Sequence, residues 1–173
     1  MRTSKTDWFL DIAERCAHQG TCLRRKYGAV IVDQSGTVVS TGYVGAPAGQ
    51  KDCLEIGHCW REDHNIPAGT CYEKCLSVHA EMNAIIQAGK SARGATLYLC
   101  GIDAKTDKVI TAKPCFLCAK MIVNAGIEKV IVRRDPKDMR DDRSNHPYAL
   151  PYDTYFSGML YDRQRKVALE ENK

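Results

Sequence analysis

Apolar positions along the chain switch between helical spacing and strand-like runs, and that rhythm predicts the order of elements. Between Thr6 and His18, the residues Trp8, Phe9, Ile12, Ala13 and Cys16 recur at helical spacing and Gly20 supplies a stop, so an opening helix is expected. Tyr27 to Asp33, a turn at Gln34, Ser35 and Gly36, and Thr37 to Tyr43 read as a β-hairpin with β-branched residues on both arms. Val44 to Thr70 has no sustained period and is punctuated by Gly, Pro and Cys, which predicts a long ordered loop of the kind that carries function. Glu73 to Ala88 fits a helix stopped by Gly89, and Ala95 to Cys100 a buried strand. Gly101 to Lys113 reads as a polar, hairpin-like insertion. Pro114 then opens a helix from Cys115 to about Ala125, stopped by Gly126, and Lys129 to Val132 is a further strand. A charged stretch runs to Asn145, and Tyr152 to about Leu169 reads as a final helix. This order predicts a mixed sheet with helices on its faces. One domain is expected over 1–173, with its core at about 6–134 and the charged segment and last helix at 135–173.

Composition narrows the setting. The 173 residues are 44% hydrophobic and 27% charged, near the globular average, which excludes a disordered chain or a fibrous repeat. A chain of this size buries about 70% of its unfolded surface and needs no disulfide to fold. The longest apolar runs, such as Ala29 to Val32, fall far short of the roughly 18–20 residues of a membrane span, and Asp7 and Asp11 interrupt the apolar stretch a secretory leader would need. A cytoplasmic location without membrane contact is expected. The net charge of +4 is too mild for a dedicated nucleic-acid-binding domain, so no stable nucleic-acid partner is expected. In such a setting nine cysteines point to metal or catalysis rather than to bridges.

The chemistry concentrates in His79-Ala80-Glu81 and Pro114-Cys115-Phe116-Leu117-Cys118. Two cysteines three apart at a helix start face the same side and can reach one metal. The helix N-terminus favours their thiolate forms. His79, on another predicted helix, supplies a third ligand, and three protein ligands leave one tetrahedral position open for water, as in a catalytic zinc site. Glu81 lies close without being needed as a ligand, which leaves it free to carry protons. Activated water beside such a carboxylate suits hydrolytic removal of an amino group from an aromatic ring.

These residues form the pattern H-x-E followed by P-C-x-x-C, and through it the sequence resembles the zinc-dependent cytidine and deoxycytidylate deaminase superfamily. The resemblance is closest to bacterial and phage dCMP deaminases. It runs from roughly Thr21 to Val132, through Thr21-Cys22-Leu23-Arg24-Arg25, Gly28-Ala29-Val30-Ile31-Val32, Thr41 to Gly49 and His79 to Ile85. It implies a three-layer α/β/α fold of the cytidine-deaminase type, α/β in class, with a mixed sheet of about five strands and the metal between two helix starts. It also implies zinc on His79, Cys115 and Cys118, Glu81 as the catalytic proton carrier, and conversion of a cytosine nucleotide, dCMP to dUMP with release of ammonia. A homo-oligomer, often a hexamer, and nucleotide triphosphate effectors are further implications.

Two departures bear on the substrate. The family usually has Asn where this chain has Val44, and valine can neither donate nor accept the hydrogen bond expected to the sugar or base. Either another residue reads the nucleoside or the substrate is a different amino-heterocycle: a nucleoside, a modified pyrimidine, a guanine-like base or a pterin. The link from Gly101 to Lys113 is also longer than in many members. Tyr43, Val44 and Ala80 are expected at the substrate site. Arg24 and Arg25 are candidates for a 5′-phosphate, with Arg133, Arg134 and Lys137 competing.

Of the other seven cysteines, Cys22, Cys53, Cys59 and Cys75 stand where the resemblance puts a second, structural zinc, with Cys71, His58 and His64 near enough to substitute. Cys16 and Cys100 read as small buried hydrophobes. A zinc-stabilised binding module without activity is the remaining reading. Glu81 argues against it, because a purely structural site gains nothing from an unliganded carboxylate.

Overall fold

The computed structural model describes residues 2–140 and 151–170, with Met139 and Arg140 in their backbone only. Helix α1 (Lys5–His18) begins where the Ser4 hydroxyl accepts a hydrogen bond from the Asp7 amide, and it buries Phe9, Leu10, Ala13 and Ala17. The expected hairpin follows as β1 (Arg25–Val32) and β2 (Val38–Tyr43). Its turn is held by the Asp33 carboxylate, which accepts from the Thr37 amide at 2.9 Å and the Ser35 hydroxyl at 2.6 Å. Then come α2 (Cys53–Ile56), α3 (Trp60–Asp63), α4 (Ala80–Ala88), β3 (Thr96–Asp103), β4 (Val109–Ile110), α5 (Phe116–Asn124), β5 (Lys129–Arg133), α6 (Pro136–Arg140), β6 (Tyr152–Phe156) and α7 (Ser157–Glu170).

The sheet runs β2-β1-β3-β5-β6, with β3 and β5 parallel, the other pairs antiparallel and β4 attached to β3. Alternation along β1 sends Val30 and Val32 to one side, where Phe9, Leu10 and Ala13 of α1 pack on them with Tyr98, Cys100 and Ile131. Ala29 and Ile31 face the other side with Leu97, Leu99, Val130 and Val132, under Ala84 of α4, Ala119 and Ile122 of α5 and Leu160 of α7. Helices on both faces make the three expected layers, and the strands between them are apolar on both sides for that reason.

Close approach of α4 to β2 sets the position of everything at the start of α4. A Cβ on Gly42 would come within 2.3 Å of the Ala80 carbonyl oxygen and 2.5 Å of the Ala84 amide nitrogen. Gly42→Ala is expected to cost at least about 1–3 kcal/mol, because backbone on both sides has to move. Thermal unfolding reads this as a lowered Tm; an unchanged Tm would mean that the helix does not pack on the strand here.

The pairing shows where the sequence pattern misleads. The helix predicted from Glu73 starts only at Ala80: Tyr72–Lys74 is a single 3-10 turn, and Val78 and Gly45 exchange backbone hydrogen bonds of 2.8 and 3.2 Å. That bridge pulls the chain out of helical geometry, and His79 becomes the extended N-cap at φ −70°, ψ 152°. The helix predicted from Tyr152 is preceded by β6, because the open edge of β5 pairs with Tyr152–Phe156 and their aromatic and β-branched side chains suit a strand. Strand β3 continues past Cys100 to Asp103, since β1 and β4 both pair with its end. The predicted loop contains α2, whose Asp52/Glu55 capping box is visible in the sequence, and α3. The charged stretch predicted up to Asn145 lies outside the described residues from position 141 on. Among the described residues, no helix is long and apolar enough to cross a membrane.

Candidate active site

Two helix starts aim their side chains at one another. His79 is the N-cap of α4, Cys115 the N-cap of α5, and neither side chain makes a capping hydrogen bond. Cys118 sits in the first turn of α5, fully buried. The His79 Nδ1 atom lies 3.3 Å from Cys118 Sγ and 3.5 Å from Cys115 Sγ, and the three ligand atoms are within 4.8 Å of one another. A nitrogen and a sulfur on one tetrahedral zinc are about 3.6 Å apart, given bond lengths of about 2.0–2.1 and 2.3 Å. The donor set therefore fits zinc in kind and in spacing. Among the described residues it is the one such group of histidine, cysteine or carboxylate side chains.

Its electrostatics agree. The Cys115 thiol is lowered to about 4, by the Cys118 hydrogen bond above all and by His79 in addition, against burial. Cys118 is pushed well above the thiol range, first by its hydrogen bond with Cys115 and then by burial. Burial alone would lower His79, but the Cys115 hydrogen bond and the charges of Glu81 and Cys115 together raise it. Three donors that compete for protons at this distance are what a dication replaces.

Glu81 lies in the first turn of α4, 5% exposed, and is not a member of the trio. Burial pushes its carboxyl above the usual range; His79 opposes and Cys115 adds to the shift. A buried carboxyl with raised proton affinity beside a metal-binding trio is equipped to take up and return a proton.

His79, Glu81 and Cys115 lie in a pocket walled by Tyr27, Val44, Ala68, Tyr72 and Ser77, with four cations, Arg24, Arg25, Arg61 and Lys113, around it. Val44 is buried, its amide donating to the Tyr27 carbonyl and its carbonyl accepting from Thr21. Arg24 and Arg25 both line this pocket, Arg24 4.0 Å from Glu62. Tyr43 and Ala80 do not line the pocket. Tyr43, the last residue of β2, is half exposed, and its carbonyl accepts from Asn83 Nδ2 at 2.8 Å. Ala80 is buried in the core under the sheet. Arg133 is held by Asp11 at 2.6 Å and Glu14 at 2.5 Å, on the α1 side of the sheet, and Arg134 lies 3.8 Å from Asp153. Lys137 is exposed.

The four loop cysteines Cys22, Cys53, Cys59 and Cys75 line the same pocket. Burial, followed by the neighbouring sulfurs, raises Cys53; Cys22 is raised by burial first, with Cys75 and Cys59 adding. Cys71 has left-handed backbone at φ 50° and is not on the pocket wall. His58 pairs with Asp63 at 2.7 Å, and His64 stacks on Trp60 with ring centroids 4.3 Å apart. Cys100 is fully buried and pushed up to about 12 by that burial, and Cys16 is raised for the same reason, as small hydrophobes would be. Sequence reasoning missed Tyr27, Arg61, Tyr72, Ser77 and Lys113. Lys113 and Ser77 adjoin the two motifs and were within reach; Arg61 and Tyr72 depend on how the loop folds.

The family model for the cytidine and deoxycytidylate deaminase zinc-binding region matches residues 3–134. The deoxycytidylate deaminase of Mycobacterium phage D29 is 35% identical over 140 residues, covering 76% of this chain and 98% of that protein. The deoxycytidylate deaminase of Schizosaccharomyces pombe is 33% identical over 132 residues, 75% of this chain but 37% of that longer protein. Among solved structures, the dCMP deaminase of cyanophage S-TIM5 in complex with dCMP and dUMP superposes with a TM-score of 0.51 at 25% identity, covering 75% of this chain and 81% of that one.

Proposed function

The chain belongs to the cytidine and deoxycytidylate deaminase zinc-binding family, and from that premise we propose that it hydrolyses the amino group from dCMP, giving dUMP and ammonia. The observation that carries the reading is the convergence of His79, Cys115 and Cys118 with a buried carboxyl, Glu81, beside them but outside the trio. Zinc held by these three residues would supply the Lewis acidity that makes hydroxide available from water near neutral pH. The remaining work is proton transfer. Glu81 takes the proton that water gives up and delivers it to ring N3 as oxygen adds at C4. It then takes the proton of the new C4 hydroxyl and passes it to the amino nitrogen, so the C4–N bond breaks with ammonia leaving and the uracil carbonyl forming. Burial suits both transfers, since it raises the proton affinity of Glu81 above that of an ordinary carboxylate.

Arg24 and Arg25 face the 5′-phosphate in this reading, with Lys113 beside the Pro114 motif as a further cation. A second reading, deamination of another amino-heterocycle, draws on Val44, an apolar wall where the family usually offers an amide. A panel of dCMP, CMP, deoxycytidine, dCTP, guanine and a pterin, read by ammonia release, separates the two. Preference for dCMP is expected; release from a different ring alone would replace it.

The proposal extends to the whole chain as one deaminase domain in the cytoplasm, where nine cysteines persist without disulfide bridges. It includes a structural zinc on Cys22, Cys53, Cys59 and Cys75, supported by their shared pocket wall and mutual charge effects. Metal analysis of the purified protein is expected to find two zinc ions per chain, and one would remove the structural site. A homo-oligomer, such as a hexamer, is supported by exposed apolar side chains on α4 and α5, Ile86 and Val123. Nucleotide triphosphate effectors rest on the family resemblance alone.

A further inference from the structure

We infer that Arg61 is a positioning residue for this site: it anchors the segment from Pro67 to Tyr72 as one wall of the pocket and, through the Tyr72 ring, sets the orientation of the His79 imidazole. The inference rests on the reading of His79 as a zinc ligand.

Arg61 is 4% exposed, and with Glu81 it is one of two buried side chains of the Asp, Glu, Lys and Arg types among the described residues. A buried guanidinium destabilises a fold unless its donors and its face are occupied. Among the described residues no carboxylate pairs with it. Instead Nη1 donates to the Thr70 carbonyl and Nη2 to the Pro67 carbonyl at 2.7 Å, while Cζ lies 4.5 Å from the centroid of the Tyr72 ring. Only a planar fork reaches two carbonyls and stacks on an aromatic face at the same time; a lysine ammonium cannot.

The anchored segment has little structure of its own. Asn65, Gly69 and Cys71 all have left-handed backbone, at φ 51°, 93° and 50°, and Pro67 has no amide hydrogen to donate. Two local hydrogen bonds of 3.1 Å, from the Thr70 hydroxyl to the Pro67 carbonyl and from the Gly69 amide to the Tyr72 hydroxyl, complete it. Pro67, Ala68 and Gly69 are exposed above the buried Arg61, so the segment roofs the guanidinium and is held by it.

Tyr72 carries this restraint to the site. Its ring stands 5.0 Å from that of His79 at 86°, edge to face. The two sulfurs meet His79 at Nδ1, at 3.3 and 3.5 Å. The perpendicular Tyr72 ring packs against the imidazole itself, and residues that orient a metal-binding histidine commonly govern metal affinity and rate.

The test uses the full zinc-loaded chain and two readouts: competition for zinc by a chromophoric chelator, and dCMP turnover at saturating zinc. Arg61→Met and Tyr72→Leu are each expected to weaken zinc retention or lower kcat by about 10–100-fold. The double variant should be no worse than the weaker single, because both act through one ring. Tyr72→Phe keeps the ring and gives up only the Gly69 hydrogen bond, so it should lose much less than Tyr72→Leu, while Arg61→Lys keeps the charge without the fork and should behave like Arg61→Met. If Arg61→Met fails to fold, Arg61→Lys and the Tyr72 pair read the same claim. Parental behaviour of Tyr72→Leu, full rescue by Arg61→Lys, or losses that multiply in the double variant would overturn the inference. A parent that binds zinc yet leaves dCMP unchanged would remove the substrate reading, and the chelator readout would still decide the role of Arg61.

Discussion

Glu81→Gln is expected to lower kcat for dCMP by about 10²–10⁴-fold, the range lost when a positioned general acid–base is removed, with zinc content unchanged. Glutamine has nearly the same shape, so the buried space at the start of α4 stays filled. It can neither accept the proton from water nor return one to N3 or to the departing amine. Zinc should stay because Glu81 stands outside the trio formed by His79, Cys115 and Cys118. Stability should not fall much either, since an amide escapes the desolvation that raises the carboxyl in this position. Steady-state kinetics and metal analysis on the same preparation check both halves. Parental kcat would move the proton work to another residue, and a loss of zinc would make Glu81 a ligand.

The second large effect follows from the donors themselves. Cys115→Ala is expected to abolish turnover and to remove one zinc per chain, because an N-cap thiol that the site holds at about 4 is the donor most readily present as thiolate. Metal bound only by the folded state adds to folding stability, so the variant should also unfold at a lower Tm than the zinc-loaded parent. Chelator treatment of the parent should reproduce the loss of turnover, and added zinc should reverse it. Residual chelator sensitivity of Tm in Cys115→Ala is the signature expected of the structural zinc on the loop cysteines. A variant that keeps full activity would refute the trio as the metal site.

The part of this site legible in the sequence is the part built from neighbours. Cys115 and Cys118 are three apart at a helix start marked by Pro114, so local geometry alone brings that pair to one side, and Glu81 stands out by following His79 after a single residue. The start of α4 was harder. Leu76, His79 and Ala80 mimic helical spacing, and only the bridge between Val78 and Gly45, residues far apart in sequence, turns His79 into an N-cap. Strand β6 was hidden for the same reason, since Tyr152–Phe156 are extended only because the edge of β5 is there to pair with them. Tyr43 adjoins Val44 in the sequence, yet only Val44 lines the pocket. Arg61 and Tyr72 gave no periodic signal at all, because they belong to a segment whose shape is set by left-handed turns and by the guanidinium beneath it.

The most direct measurement is incubation of the purified, zinc-loaded chain with dCMP, following nucleotide and ammonia together. Deamination predicts dUMP and ammonia in equal amounts, absent when Glu81→Gln replaces the parent. A parent that holds zinc on His79, Cys115 and Cys118 and still leaves dCMP, the other cytosine nucleotides, nucleosides and the free base unchanged would contradict it.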